Sequence, residues 1–311
     1  MPNPPVPAEP AQAVGHDMDL GCAPLLVISP HLDDAILSAF ALLDRSVPVD
    51  VLTVFTGAPS PPQRTKWDSF TGFLDSDVAM SVRSAENLAA FSGTPHRLHA
   101  LGLLDDQYRG RPAAEHEAGV ILAWVVDWID RHGPGAFLAI PAIAGLPVVE
   151  PTSGDSWTSG SVAAGLPRWA RRGLGKAASG VRRLRSGSQP QDPSLLPPHG
   201  HVDHRFVRDT ALRVLSGRRA VSVLLYEEVP YLWGRPADEE VAAVSTETGR
   251  TAALFELAVN REAKARQVAC YQTQLSALFA PQGPLDTPVG LPEIERYWRL
   301  GPDLAGVSGL F

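Results

Sequence analysis

Leu25-Leu26-Val27-Ile28-Ser29-Pro30-His31-Leu32-Asp33-Asp34, continued by Ala35-Ile36-Leu37-Ser38-Ala39-Phe40-Ala41-Leu42-Leu43, is the stretch from which the fold follows. Leu25 to Ile28 are wholly apolar, as in a strand buried on both faces. Pro30 ends that run, and an imidazole and two carboxylates follow at once. Ala35 to Leu43 reads as an apolar helix whose first turn is rich in Asp, as a helix start prefers. Charged groups held between a buried strand and a buried helix are costly unless they are paired or bound to a metal. In open α/β sheets this junction, at the carboxyl end of a strand, is where ligands bind.

Outward from this unit the pattern repeats. Val49 to Phe55, Arg97 to Leu103, Ala136 to Ile140, Ala220 to Tyr226 and Ala252 to Val259 read as strands. Val78 to Ser92, Glu115 to His132, the segment from His199 to Leu215, and Arg261 to Phe279 read as helices. Ala58 to Phe73 reads as a loop over one end of the sheet, and the Pro/Gly-rich remainder after Phe279 as a surface wrap. Strands alternating with helices predict an α/β fold, with a mainly parallel sheet and helices on both faces.

Two stretches fall outside the pattern. Residues 1–22 are rich in Pro and Ala and lack the basic region and apolar core of a signal peptide, so a flexible N-terminal tail is expected. Residues 23–311 then form a single domain with an insertion at about 146–198, since a structureless stretch of that length is a functional lid or a disordered insertion. Arg168 to Arg185 carries seven basic residues and no acidic one. A solvated, partly helical insertion and a lid or clamp for an anionic substrate are both consistent with it.

A net charge of −7 argues against a general nucleic-acid binder, and 44% hydrophobic with 20% charged residues is ordinary for a globular protein. No apolar run reaches membrane-spanning length. The two cysteines, Cys22 and Cys270, are too few for a disulfide framework or a cysteine zinc knot. These features predict a cytoplasmic protein with no nucleic-acid or membrane partner. The oligomeric state is not encoded legibly.

Of nine histidines, His199, His201 and His204 fall close together, and His31 sits in the opening stretch. Imidazoles with a carboxylate make a first-row metal site, most often zinc, open to water when three protein ligands are used. His31 and Asp34 can face one ion from a strand-to-helix turn. Asp33 lies about 100° round the helix from Asp34 and can address the water. His204, at a second helix start, can supply the third ligand, and His201 can face the same pocket. Such an ion lowers the pKa of bound water to about 7 and polarises a carbonyl. Asp33 then suits the general base, and a protonated His201, oriented by Asp203, suits the oxyanion donor. His199 is close enough to line the pocket, or is a solvated side chain.

Pro30-His31-Leu32-Asp33-Asp34 resembles the Pro-His-Pro-Asp-Asp signature of the PIG-L/LmbE-like zinc de-N-acetylases. Gly200-His201-Val202-Asp203-His204 is similar to their second motif, His-x-Asp-His. Weaker echoes are Arg83 and Glu86, Leu104-Asp105-Asp106, and Lys264 with Tyr271-Gln272-Thr273-Gln274. The resemblance spans roughly residues 24 to 280 without the insertion. It implies a Rossmann-like fold and hydrolysis of an N-acetyl or similar acyl group on an amino sugar or glycosylated small metabolite. It implies one divalent metal, Zn2+, on His31, Asp34 and His204, with Asp33 as base and His201 at the oxyanion or the leaving amine. Asp203, Arg83, Asp105 and His199 fall among the supporting or substrate-facing residues. The family's usual Pro and Glu are Leu32 and Ala35 here; neither is an implied ligand, so the departure bears on the substrate more than on the metal. The alternatives are the same metal site acting on a non-sugar amide in a biosynthetic pathway, and a non-catalytic relic.

Overall fold

In a computed structural model the described residues are 20–143, 201–216, 221–275, 278 and 280–303. Most of the expected tail, the insertion at 146–198 with its basic run, and His199 lie outside them. The strands are β1 (Leu25–Ser29), β2 (Asp50–Thr53), β3 (Arg97–Ala100), β4 (Phe137–Pro141), β5 (Ser222–Tyr226), β6 (Arg250–Ala258) and β7 (Ile294–Asp303). They form one sheet in the order β3-β2-β1-β4-β5-β7-β6. β1 to β5 pair in parallel, and β7 pairs antiparallel with both β5 and β6.

The apolar run of β1 is explained by its two covered faces. Leu26 and Ile28 join Leu138, Ile140, Val223 and Leu225 in a core closed by α6 (Glu115–His132) and α7 (Val202–Leu212), through Ile121, Val125, Trp128, Val207 and Ala211. Leu25 and Val27 point the other way, into a core closed by α1 (Asp34–Ser38), α2 (Phe40–Leu43) and α9 (Arg261–Val268). The chain leaves β1 for β2 and β3 on one side and returns to β4 and β5 on the other. A crevice therefore opens at the carboxyl ends of β1 and β4, the switch point where α/β sheets bind ligands.

The expected helix from Ala35 to Leu43 is split at Ala39. The buried Lys264 ammonium donates to the Leu37 carbonyl at 2.6 Å, and the Glu295 carboxylate accepts from the Ala41 amide at 2.8 Å. Those two backbone groups would bond each other in a continuous helix. Lys264 and Glu295 pair at 2.7 Å, so an ion pair stands where one helical hydrogen bond would be.

Other departures have similar causes. The helix expected over Arg261 to Phe279 stops at Val268 and resumes as α10 (Gln272–Leu275). Tyr271 is drawn into the core, its hydroxyl donating to Asn87, while Glu86 accepts from the amide and hydroxyl of Thr273. The loop read at Ala58 to Phe73 contains α3 (Lys66–Thr71), opened by a Thr65–Asp68 capping box. The surface wrap expected at the C-terminus is corrected: Ile294–Asp303 is strand β7, inside the sheet. Tyr297 enters one core, and Trp298 and Leu300 enter the other. Helix α8 (Asp238–Thr248), closed by Gly249 at φ 63°, was not anticipated.

Candidate active site

The turn after β1 is fixed by its own side chains. Ser29 Oγ donates to the His31 carbonyl at 2.6 Å and accepts from the Ala35 amide at 3.0 Å. Asp34 Oδ2 accepts from the His31 amide at 2.7 Å. Asp33 sits at the N-cap of α1, yet its side chain caps nothing. Its carboxylate lies instead 3.9 Å from the guanidinium of Arg83, which comes from α4 (Ser76–Ala90). The two adjacent aspartates thus face different groups.

Asp34 meets the imidazoles. One of its oxygens lies 3.2 Å from His31 Nδ1 and 3.2 Å from His204 Nε2. His204 comes from the first turn of α7, while Asp34 opens α1; two helix starts converge across the crevice. The far nitrogen of each imidazole also faces a carboxylate. His31 Nε2 is 3.3 Å from Asp203 Oδ2, and His204 Nδ1 is 3.3 Å from Glu228 Oε1, just past the end of β5. Imidazoles that ligate metals are held in this way, with the second nitrogen on a carboxylate.

Asp203 departs from its expected part. Its carboxylate joins His31, the Arg109 guanidinium at 2.7 Å and the Asp106 amide at 2.9 Å, on α5 (Asp106–Arg109). It touches His201 only through its backbone amide, which donates to His201 Nδ1 at 3.2 Å. A neutral His201 therefore carries its proton on Nε2. Asp105 caps α5 and lies 3.8 Å from both His31 Nε2 and Arg83.

The charges explain what the cluster wants. Asp33, Asp34, Asp105, Asp203 and Glu228 are all buried. Among the described residues, the guanidiniums beside them are Arg83 and Arg109. Burial opposes the His31 and His204 imidazoliums, but the neighbouring carboxylates outweigh it. Asp105, Asp203 and Asp34 hold His31 well above its ordinary range, and Asp34 and Glu228 raise His204 to about 9. Asp34 is held well below the carboxylate range, against burial, by His204 and His31. Asp33 is raised, first by burial and then by Asp34. Burial and the two neighbouring imidazoliums push His201 down to about 3, which works against the protonated His201 expected from the sequence.

A site that recruits protons onto two imidazoles is short of positive charge. His204 Nε2 is fully buried and makes no hydrogen bond of acceptable geometry, despite its approach to Asp34. Among the described residues, His31, His201 and His204 bring one nitrogen each within 4.8 Å of one another, and His31, Asp105 and Asp203 form a second such group. This donor set of imidazole nitrogens and carboxylate oxygens fits a divalent first-row metal.

Three neighbours carry no mark from the sequence. Glu228 faces His204 from behind, and Arg109 holds the Asp203 carboxylate that faces His31. Tyr231, on the short 3₁₀ turn Tyr231–Trp233, sets its ring 5.6 Å from that of His204 and 6.4 Å from that of His201. Burial, then Asp34 and Asp33, raise its hydroxyl well above the ordinary tyrosine range and keep it protonated. The usable signal was position: Glu228 and Tyr231 follow β5, whose carboxyl end borders the crevice.

The fold is that of known deacetylases. The chain aligns with teicoplanin deacetylase Orf2 in its zinc inhibited form at TM-score 0.59 and 22% identity, covering 91% of this chain and 99% of that one. A complex of the deacetylase of teicoplanin biosynthesis aligns at TM-score 0.57 and 22% identity, over 91% and 99%. The A40926 pseudoaglycone deacetylase Dbv21 aligns at TM-score 0.54 and 22% identity, over 90% and 98%. No family model matches the chain, and no curated protein matches it. Among the described residues, no helix is long and apolar enough to cross a membrane.

Proposed function

We propose that the chain is a metal-dependent amide hydrolase of the PIG-L/LmbE-like kind, which removes an acetyl or similar acyl group from an amino sugar or glycosylated small metabolite in the cytoplasm. The observation that carries this reading is the convergence of His31 Nδ1 and His204 Nε2 on one oxygen of Asp34, with Asp33 beside it and turned toward Arg83. The alignment with teicoplanin deacetylase Orf2 and the A40926 pseudoaglycone deacetylase Dbv21 supports a deacetylase reading.

His31, Asp34 and His204 would hold one divalent ion, zinc by the donor set. When bound, the ion supplies Lewis-acid polarisation of the amide and makes water acidic enough to ionise near neutral pH. Asp33 accepts the proton of the attacking water and returns it to the amine nitrogen as the C–N bond breaks. Its raised pKa makes it a stronger base than an exposed carboxylate, and Arg83 limits the rise. His201 offers its Nε2–H to the oxygen of the scissile amide. Asp203 and Glu228 keep the two imidazoles in the tautomers that present their free nitrogens to Asp34.

The test is metal analysis of the purified chain, followed by assay of the reconstituted protein on a panel of N-acylated amino sugars, glycosylated amines and simple amides. One metal per chain and turnover confined to the sugar-bearing amides is the expected result. Excess zinc is assayed separately, since one aligned structure is a zinc inhibited form. A metal-free chain inert toward every amide, before and after reconstitution, would overturn the proposal.

A further inference from the structure

Tyr231 has features that neither motif accounts for. Its ring packs edge-on against His204, with an interplanar angle of 80°, and lies near His201 as well. The carboxylates acting on its hydroxyl are Asp34, Asp33, Glu228 and Asp105, which are the groups lining the crevice. Every other tyrosine hydroxyl in the described cores has an internal partner: Tyr108 on Asp68, Tyr226 on the Ile28 carbonyl, Tyr271 on Asn87 and Tyr297 on Glu295. The Tyr231 hydroxyl has none among the described residues, although its ring is largely enclosed. A donor kept at such a place without a partner is available to a bound molecule.

We infer that the Tyr231 hydroxyl is a catalytic donor, which together with His201 Nε2–H binds the oxygen of the reacting carbonyl as it becomes an oxyanion. This rests on the hydrolase reading above and deepens it. The acceptor is an oxygen that gains negative charge, so a neutral donor strengthens its bond as the reaction advances. The edge-on contact with His204 limits the positions of the phenol, and so of its hydroxyl, without a hydrogen bond of its own.

Tyr231→Phe removes the hydroxyl and keeps the ring. The zinc-loaded parent and variant are titrated with methylphosphonate, whose tetrahedral anionic oxygens imitate the intermediate. The variant is expected to bind it roughly 10-fold or more weakly, as for a lost hydrogen bond to a charged group. On any amide the parent hydrolyses, kcat is expected to fall on the order of 10²-fold, with KM and metal content unchanged. Equal phosphonate affinity in the two proteins overturns the inference, as does a parent that does not bind methylphosphonate. Loss of metal in Tyr231→Phe also overturns it, because the hydroxyl would then be supporting the fold of the site. A phosphonate difference without hydrolysis of any amide sinks the hydrolase reading and leaves the hydroxyl's role as an oxyanion donor standing.

Discussion

Glu228 Oε1 lies 3.3 Å from His204 Nδ1 and also accepts from the Ile143 amide at 3.0 Å, so one buried carboxylate ties the end of β5 to the residues after β4 and to the imidazole of α7. The bond to Nδ1 leaves Nε2 as the nitrogen that faces Asp34. Glu228→Gln keeps the shape and an acceptor for Ile143, but its amide no longer enforces the tautomer. Metal affinity is expected to fall about 10–100-fold, measured by chelator competition. An unchanged affinity would mean that the His204 ring is held by packing alone.

The proposed mechanism makes Asp33 the base and Asp34 a metal ligand. Asp33→Asn is expected to lower kcat about 10²–10⁴-fold while metal stays near one per chain. Asp34→Ala and His204→Ala are expected to lose the metal. Zinc stoichiometry beside kcat for each variant decides the matter: loss of metal in Asp33→Asn with retention in Asp34→Ala would exchange the two roles.

At the opposite end of β2, Asp50 accepts from Arg97, His99 and Trp128, at 2.6–3.0 Å. Burial works to raise its carboxyl, but these bonds outweigh it and hold it far below the ordinary range. The folded pKa is lower than the unfolded value of about 3.9, so the stabilisation is complete above that value and is lost as the pH falls below it. Asp50→Asn is expected to destabilise the protein more at pH 7 than at pH 3 in urea unfolding. Equal destabilisation at both would show that the carboxylate's charge contributes nothing.

Much of this architecture was legible because β1 is apolar on both faces and its motif ends at a strand terminus. The residues that sequence periodicity could not find act at long range. Glu228 reads as one of two loop acids until β5 is placed beside β4. Ile294 to Leu300 hides a strand behind Glu295 and two arginines, because Glu295 is neutralised by Lys264, thirty-one residues earlier. Asp203 was expected to orient His201, since the two share a motif; helix geometry turns its carboxylate to His31 and Arg109 instead.

The Lys264–Glu295 pair links that distant packing to the site. Both side chains are almost wholly buried, and they hold the Leu37 carbonyl and Ala41 amide apart where α1 gives way to α2. α1 begins at Asp34, so the direction of this short helix sets where Asp33 and Asp34 point. Lys264→Met leaves the Glu295 charge unpaired and is expected to cost about 3–5 kcal/mol in urea unfolding. In the double variant Lys264→Met, Glu295→Leu no buried charge remains, and the Leu37 carbonyl and Ala41 amide become free to bond each other. Its stability is expected to exceed that of Lys264→Met, since replacing a whole buried ion pair by apolar groups is often nearly neutral. The loss of the Tyr297 hydroxyl's partner limits the recovery by about 1–3 kcal/mol. Metal affinity is expected to behave differently: it should remain below the parent's in the double variant, because a helix continuous through Ala39 redirects Asp34. Should the double variant recover both stability and metal affinity, the break at Ala39 would be incidental to the site. Should it recover stability alone, the ion pair's contribution is the placement of the two aspartates.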